Sequence, residues 1–321
     1  MTVSIIIAVK NWQSNLEECI TYCRRLDFPD FEILVLPDEH PGQVYNPQED
    51  SRVRLIPTGA VNPAAKRDAA LKTARGQILA FLDDDAYPLK DWLSRAVNNF
   101  TDDDVAAVGG PAVTPPQDSL MCQASGMVYS SPLVSSKFVY RYIPGKRREV
   151  DDYPSCNFLV RKAVMAQLGG FNTEFWPGED TKLCLDITKK LGLKIIYDPS
   201  VLVYHHRRPL FLGHLKQIAN YALHRGYFVK VFPQTSRRPG YFVPTVFLFC
   251  VVFGAALSFF VSALRPVYLF GLSLYLVIVF IYGLSKGPRF VLPVSLGIIT
   301  THFTYGLFFL KGLLAKKLLN K

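Results

Sequence analysis

The chain has 321 residues, half of them hydrophobic, which is more than one average domain accounts for. Its charge is divided: residues 1–198 carry all 26 Asp and Glu against 22 Lys and Arg, whereas residues 199–321 carry 14 Lys and Arg and no acid. Because the basic third is also the most apolar, its expected partner is an anionic membrane surface, and a nucleic acid is excluded as the reason for the charge.

Val3 to Val9 (VSIIIAV) is a continuous β-branched run, the pattern of a strand buried on both faces. Asn15 to Leu26 reads as a helix with Leu16, Ile20 and Cys23 on one face, and Phe31 to Leu36 as a second strand. Pro63 to Arg75 is a helix with proline in its first turn, stopped by Gly76 before a strand over Gln77 to Leu82. Lys194 to Tyr204 reads as one further strand. Alternation of strand and helix predicts an α/β domain with a mostly parallel sheet, and such sheets bind ligands beyond the carboxyl ends of their strands. Six scattered cysteines, at 19, 23, 122, 156, 184 and 250, complete no zinc site and are expected as reduced thiols.

Pro209 to Phe232 is basic and amphipathic, with Leu212, Leu215, Ile218, Ala219 and Ala222 on its apolar face, as in an interfacial helix. Three uncharged blocks follow, Tyr241 to Leu264, Pro266 to Ser285 and Phe290 to Leu310, each long enough to cross a bilayer. Met1 to Val9 lacks a basic leading region, so no signal peptide is expected and the N-terminal part is placed in the cytosol. Arg237, Arg238, Lys286 and Arg289 agree with that orientation; Lys311, Lys316 and Lys317 do not, which leaves the last block open between crossing, re-entrant and interfacial.

The acidic run Asp83-Asp84-Asp85 falls at the end of a predicted strand, where like charges repel. Carboxylates in such a place can hold Mg²⁺ or Mn²⁺ shared with substrate phosphates, although three acids in a loop are more often a solvated turn. Further on come Ser155-Cys156-Asn157-Phe158-Leu159-Val160-Arg161, then Leu168-Gly169-Gly170-Phe171 and Phe175-Trp176-Pro177-Gly178-Glu179-Asp180. Taken in order, VSIIIAVKN, EILVLPD, FLDDDAYP and GGFNTEFWPGEDTKLCLDI resemble the motifs of the family 2 inverting glycosyltransferases with the GT-A fold, across residues 1–230.

That resemblance implies roles. Asp180 matches the catalytic base, which takes the proton of an acceptor hydroxyl as it attacks the anomeric carbon. Asp38 matches the nucleobase contact, although Pro37-Asp38-Glu39-His40 stands where the family has Asp-Asp-Gly-Ser, which leaves the nucleobase open. Asp83 would face ribose and metal, Asp85 the metal, and Asp84 fills the variable position of DxD. Lys66 and Arg67 are candidates for the diphosphate, with exposed helix residues as the alternative. His205 or His206 would reach the metal, and Arg207 and Arg208 the diphosphate or anionic headgroups. Glu179 would orient the acceptor or bond the following helix, and Asn157 and Trp176 are candidates for the acceptor side.

The expected architecture is a cytosolic GT-A domain over 1–208, an interfacial helical segment over 209–238 and a membrane domain over 239–321 with two to three spans. The expected activity is metal-dependent transfer of a sugar from a nucleotide-diphosphate sugar, UDP being the family's commonest carrier, to a polyprenyl-diphosphate-linked saccharide in polysaccharide or glycan synthesis at the cytoplasmic membrane. Three rivals stand beside it: transfer to polyprenyl monophosphate, a silent membrane scaffold that keeps the fold, and a transport subunit, for which spans without acids are a poor ion pathway. No Gln-x-x-Arg-Trp motif is present, so single additions are expected. Sugar, linkage and homo-oligomer formation stay open.

Overall fold

The computed structural model describes residues 1–42 and 50–318. Two compact units form among the described residues: one from Met1–Val113 with Tyr140–His206, the other from Thr114–Val139 with residues 207–318. The sequence suggested contiguous pieces broken at 208 and 238. Instead residues 114–139 leave the α/β unit and join the helices, because Ala124 and Val128 of the helix Leu120–Tyr129 are buried with Leu210, Phe290, Val294 and Ile298.

Eleven strands make the first unit among the described residues: β1 Val3–Ala8, β2 Phe31–Leu36, β3 Val53–Leu55, β4 Ile78–Asp83, β5 Ala86–Pro88, β6 Val105–Gly109, β7 Ala112–Val113, β8 Arg148–Val150, β9 Asn157–Arg161, β10 Lys194–Tyr197 and β11 Val203–His205. The large sheet has the order β3-β2-β1-β4-β9-β6-β10-β8, and a small sheet the order β5-β11-β7. β1 and β2 are buried almost throughout, as both-face burial of parallel strands requires. Pairing is parallel from β3 to β4 and between β6 and β10, whereas β9 runs against both neighbours and β8 against β10. Gly76 lies so close to the backbone of Val3 and Ser4 that a Cβ has no room there, which fixes the entry to β4. All six cysteines are free thiols.

The single strand expected over Lys194 to Tyr204 is two strands in different sheets. Asp198 turns the chain between them: its Oδ1 accepts from the amide and hydroxyl of Ser200 at 2.9 and 2.7 Å, and its Oδ2 from Asn99 Nδ2 at 2.8 Å. This break carries β11 to β5, where His205 pairs with Ala86, the residue after the acidic run.

In the second unit the helix Leu212–Val231 buries His214, Ile218, Ala222 and Gly226, while Leu212 is 89% exposed. Its inward face is therefore one step away from the face expected from apolar residues alone. The reason is His214, whose ring nitrogens bond Ser125 Oγ at 2.8 Å and Thr301 Oγ1 at 2.9 Å, so that burial leaves neither nitrogen unsatisfied. Burial, then the positive charge of Arg207, lowers its pKa to about 4. The folded protein thus keeps His214 neutral where the unfolded chain, near 6.5, binds a proton, so stability is full above 6.5 and falls as pH drops towards 4. The loss is expected to reach up to about 3 kcal/mol, read as a falling unfolding temperature in detergent, and to shrink in His214→Gln.

Three helices are long and apolar enough to cross a membrane: Pro239–Phe260, Ser262–Leu284 and Pro288–Leu314. Few residues of the first two are buried, whereas the third buries more, among them Val294, Ile298, Thr301 and Phe309.

Candidate active site

The site grows from the carboxyl end of β4. Asp83, the last residue of β4, stands in register with Ala8 at the end of β1, and the chain then turns through Asp84 and Asp85 into β5. Two side chains answer this run. Arg67, on the helix Pro63–Leu71, donates Nη2–H to Asp83 Oδ1 at 2.9 Å, and His205 Nε2 lies 2.9 Å from Asp85 Oδ1. Asp84 takes a hydrogen bond from Gln13. Burial, followed by the charges of Asp85 and Asp83, raises Asp84 to about 6; burial also raises Asp83, against the pull of Arg67. The run is therefore short of positive charge.

Asp83, Asp85 and His205 place one ligand atom each within 4.8 Å of one another. Two carboxylate oxygens and an imidazole nitrogen fit a divalent ion, and the nitrogen favours Mn²⁺ over the harder Mg²⁺. His206 is not part of this group. It follows the last residue of β11, its Nε2 lies 2.8 Å from Glu18 Oε2 and its amide donates to Asp85 O at 3.0 Å.

Arg67 also joins the acidic run to the helix Glu179–Leu185. Its Nη1–H donates to Glu179 Oε1 at 2.8 Å, and both side chains are at most 6% exposed. Glu179 Oε2 in turn accepts from the amide of Gly178 at 3.0 Å, so Glu179 anchors the start of its own helix. Asp180 follows in the first turn of Glu179–Leu185, half-buried, with Oδ1 accepting from Thr181 N at 2.7 Å. The Gly169-Gly170-Phe171 turn is tied down separately: Phe171 N donates to Asp68 Oδ1 at 2.8 Å, Gly170 has φ +88° and leaves no room for a Cβ beside Asp68, and the Arg67 guanidinium lies 5.7 Å from the Phe171 ring centroid.

At the end of β2, Lys66 Nζ lies 2.6 Å from Asp38 Oδ1 and donates to Leu36 O at 3.2 Å and Thr58 Oγ1 at 3.0 Å. Lys66 and Arg67 are both buried, and the donors named here are engaged with protein groups. Asn157 is wholly buried: it accepts from Trp92 Nε1 at 2.9 Å and donates to Gly110 O and Val201 O at 2.7 Å, which ties β9 to the loops after β6 and before β11. Trp176 is 49% exposed on the loop leading to Glu179. Arg207 and Arg208 belong to the helical unit. Gln13, Glu18, Thr58 and Asp68 were not singled out from sequence. Gln13 and Glu18 work through partners far along the chain, Thr58 through Lys66 eight residues on, and Asp68 hides beside two more conspicuous cations.

The chain matches glycosyl transferase family 2 over residues 4–169, more than half its length. It belongs to glycosyl transferase family 2. Among family relatives, a pre-mycofactocin glycosyltransferase of Mycobacterium tuberculosis is 28% identical over 215 residues, which is 64% of this chain and 43% of that protein. Glycosyltransferase AglE of Haloferax volcanii is 29% identical over 219 residues, 64% of this chain and 67% of that one. This chain thus spans less than half the length of the first of these relatives. Among solved structures, mannosyltransferase PcManGT from Pyrobaculum calidifontis, in complex with GDP-Man and Mn²⁺, is similar with a TM-score of 0.60 at 19% identity, over 98% of this chain and 88% of that one. The α/β unit is accordingly a GT-A-like fold, in a chain of glycosyl transferase family 2 that also carries C-terminal apolar helices.

Proposed function

We propose that this glycosyltransferase is membrane-anchored, metal-dependent and inverting, and that it moves a sugar from a nucleotide-diphosphate sugar, UDP first among carriers, to a polyprenyl-diphosphate-linked saccharide on the cytosolic side of the membrane. The observation that supports the reading is the bond chain from the Asp83–Asp85–His205 cluster through Arg67 to Glu179, the residue next to Asp180. An ion held by Asp83, Asp85 and His205 would offset the charge that builds on the leaving diphosphate. Asp180 accepts the proton of the acceptor hydroxyl while that oxygen bonds to the anomeric carbon and the bond to the diphosphate breaks, so one displacement inverts the centre. Asp38, held by Lys66, supplies an acceptor for the nucleobase, and the exposed Trp176 offers a flat apolar face to the acceptor sugar. Three apolar helices in the same chain support an acceptor that lives in lipid.

The test is sugar transfer in membranes containing the protein, with a panel of radiolabelled UDP- and GDP-sugars. Label is expected in the organic-solvent extract with Mn²⁺ and absent with EDTA. Transfer to soluble sugars alone would overturn the lipid acceptor, and no transfer from any donor would favour the silent scaffold.

The ion also has a stability signature. At 100 times its dissociation constant, Mn²⁺ is expected to stabilise the purified protein by about 2.7 kcal/mol, read as a rise in unfolding temperature. Asp85→Asn should remove that rise while leaving the metal-free unfolding temperature within a few degrees.

A further inference from the structure

The third apolar helix, Val291–Leu314, meets both legs of the preceding helical pair at the same end. The legs, Pro239–Phe260 and Arg265–Leu284, run antiparallel, with Tyr268 Oη donating to Val251 O at 3.2 Å near their tip. The first half of Val291–Leu314 lies on the last turns of the second leg. Gly283 leaves no room for a Cβ against Val291 and Ser295, Ser295 Oγ donates to Val279 O at 3.3 Å, and Tyr275 Oη bonds His302 Nδ1 at 2.9 Å. The second half lies on the first turns of the first leg. The rings of Phe303 and Phe247 are 5.8 Å apart and those of Phe309 and Phe242 5.0 Å, and Thr245 Oγ1 donates to Gly306 O at 2.9 Å.

These contacts fix a direction. From 291 to 302 the helix follows the second leg from 283 towards 275; from 302 to 309 it follows the first leg from 247 back to 242. Val291 to Phe309 is about 27 Å of helix, yet both ends sit level with the hairpin base. A spanning helix would carry Phe309 towards the tip at Val261. Beside it the helix Leu212–Val231 runs the same way. His214 meets Thr301, Gly226 meets Phe309 and Gly312 meets Leu223 with no space for a Cβ, and Lys230 bonds Ala315 O.

Resting on the reading that the hairpin spans the bilayer, we propose that the chain crosses twice, and that Val291–Leu314 and Leu212–Val231 lie as a parallel pair in the headgroup boundary of one leaflet, which is anionic. The legs suit this, since 22 and 20 residues of helix are about 33 and 30 Å, the thickness of a hydrocarbon core. Charge identifies the leaflet. Lys230, Arg237, Arg238, Lys286, Arg289, Lys311, Lys316 and Lys317 all follow or flank the base, and Arg265 is the one charged residue between Pro239 and Ser285. The clash of Lys311, Lys316 and Lys317 with the positive-inside rule disappears, because with two spans they lie on the same side as Arg237 and Arg238. Leu292, Leu296, Leu307 and Leu314 stay exposed on the third helix, an apolar flank for acyl chains below a basic rim.

The test uses the full chain in sealed inverted membrane vesicles, in a background carrying Cys122→Ser and Cys250→Ala, with single cysteines introduced as Arg265→Cys, Lys286→Cys and Lys316→Cys. A membrane-impermeant maleimide is expected to label Lys286→Cys and Lys316→Cys from outside, and Arg265→Cys only after detergent. Labelling of Lys316→Cys together with Arg265→Cys, on the side opposite Lys286→Cys, would overturn the inference by showing a third span. Labelling of all three from one side, or release of the protein by alkaline wash, would show that the hairpin does not span, and both readings fall. A second measurement compares Leu292→Cys and Leu307→Cys carrying a fluorophore against lipid-borne quenchers. Equal depth is expected, whereas a spanning helix would separate the two by about 22 Å.

Discussion

Asp180→Asn is expected to lower sugar transfer by about 10²–10⁴-fold, the usual contribution of a positioned general base. The change should act on chemistry and not on folding. Asn keeps the side-chain oxygen that accepts from Thr181 N, and Asp180 is only half-buried, so the unfolding temperature should stay within a few degrees. Donor affinity should also be unchanged, because the proposed reading gives donor binding to Asp38 and the acidic run after β4. Initial rates at saturating donor, with donor binding measured in parallel, separate these effects. The same variant distinguishes the two lipid acceptors. A polyprenyl monophosphate is already ionised and needs no proton removed, so with that acceptor the loss should stay within about tenfold.

Arg67→Met is expected to destabilise the protein by about 3–5 kcal/mol, because it strands the carboxylate of Glu179 in the interior and removes the charge partner of Asp83. In a domain of this size that corresponds to a drop in unfolding temperature on the order of 10 °C, measurable by scanning fluorimetry. Arg67→Lys should recover only part, since one ammonium lacks the planar fork that serves two carboxylates at once. Adding Glu179→Gln to Arg67→Met should restore some of the loss by neutralising the buried charge. If the double variant were no more stable than Arg67→Met, the stranded charge would not be the cause.

The strands were the most legible part of the chain, since VSIIIA and FEILVL are buried through and through and their sequence says so. The acidic run could be placed at a strand end from hydropathy alone. What answered its repulsion could not: Arg67 lies 16 residues before Asp83 and reaches Glu179 112 residues later, and His205 arrives through a sheet that was not foreseen. Recognising β11, which ends at His205 and pairs that residue with Ala86, would have pointed to His205 rather than His206. Lys66 and Arg67 read equally as diphosphate contacts or as exposed helix residues; they are buried, since a cation next to a carboxylate can lie inside without an unpaired charge. On Leu212–Val231, Ile218 and Ala222 of the expected face are buried and Leu212 is not, because a histidine with two hydroxyl partners packs inward as readily as a leucine.

The split make-up of the helical unit sets an order of events during synthesis. The apolar face of Leu120–Tyr129 emerges while the α/β unit is still being made, but the side chains that cover it, Phe290, Val294 and Ile298, come more than 160 residues later. At about 5–20 residues per second this is a delay of roughly 8–32 s. During that interval Ala124 and Val128 have no native cover from that helix. The strands and the acidic cluster draw on residues up to His206 and can close first, so the glycosyltransferase unit has time to fold before the last helix reaches its place. A nascent chain halted near residue 250 should therefore carry a formed sheet and an uncovered apolar helix in its middle, a ready target for a chaperone or for the membrane itself.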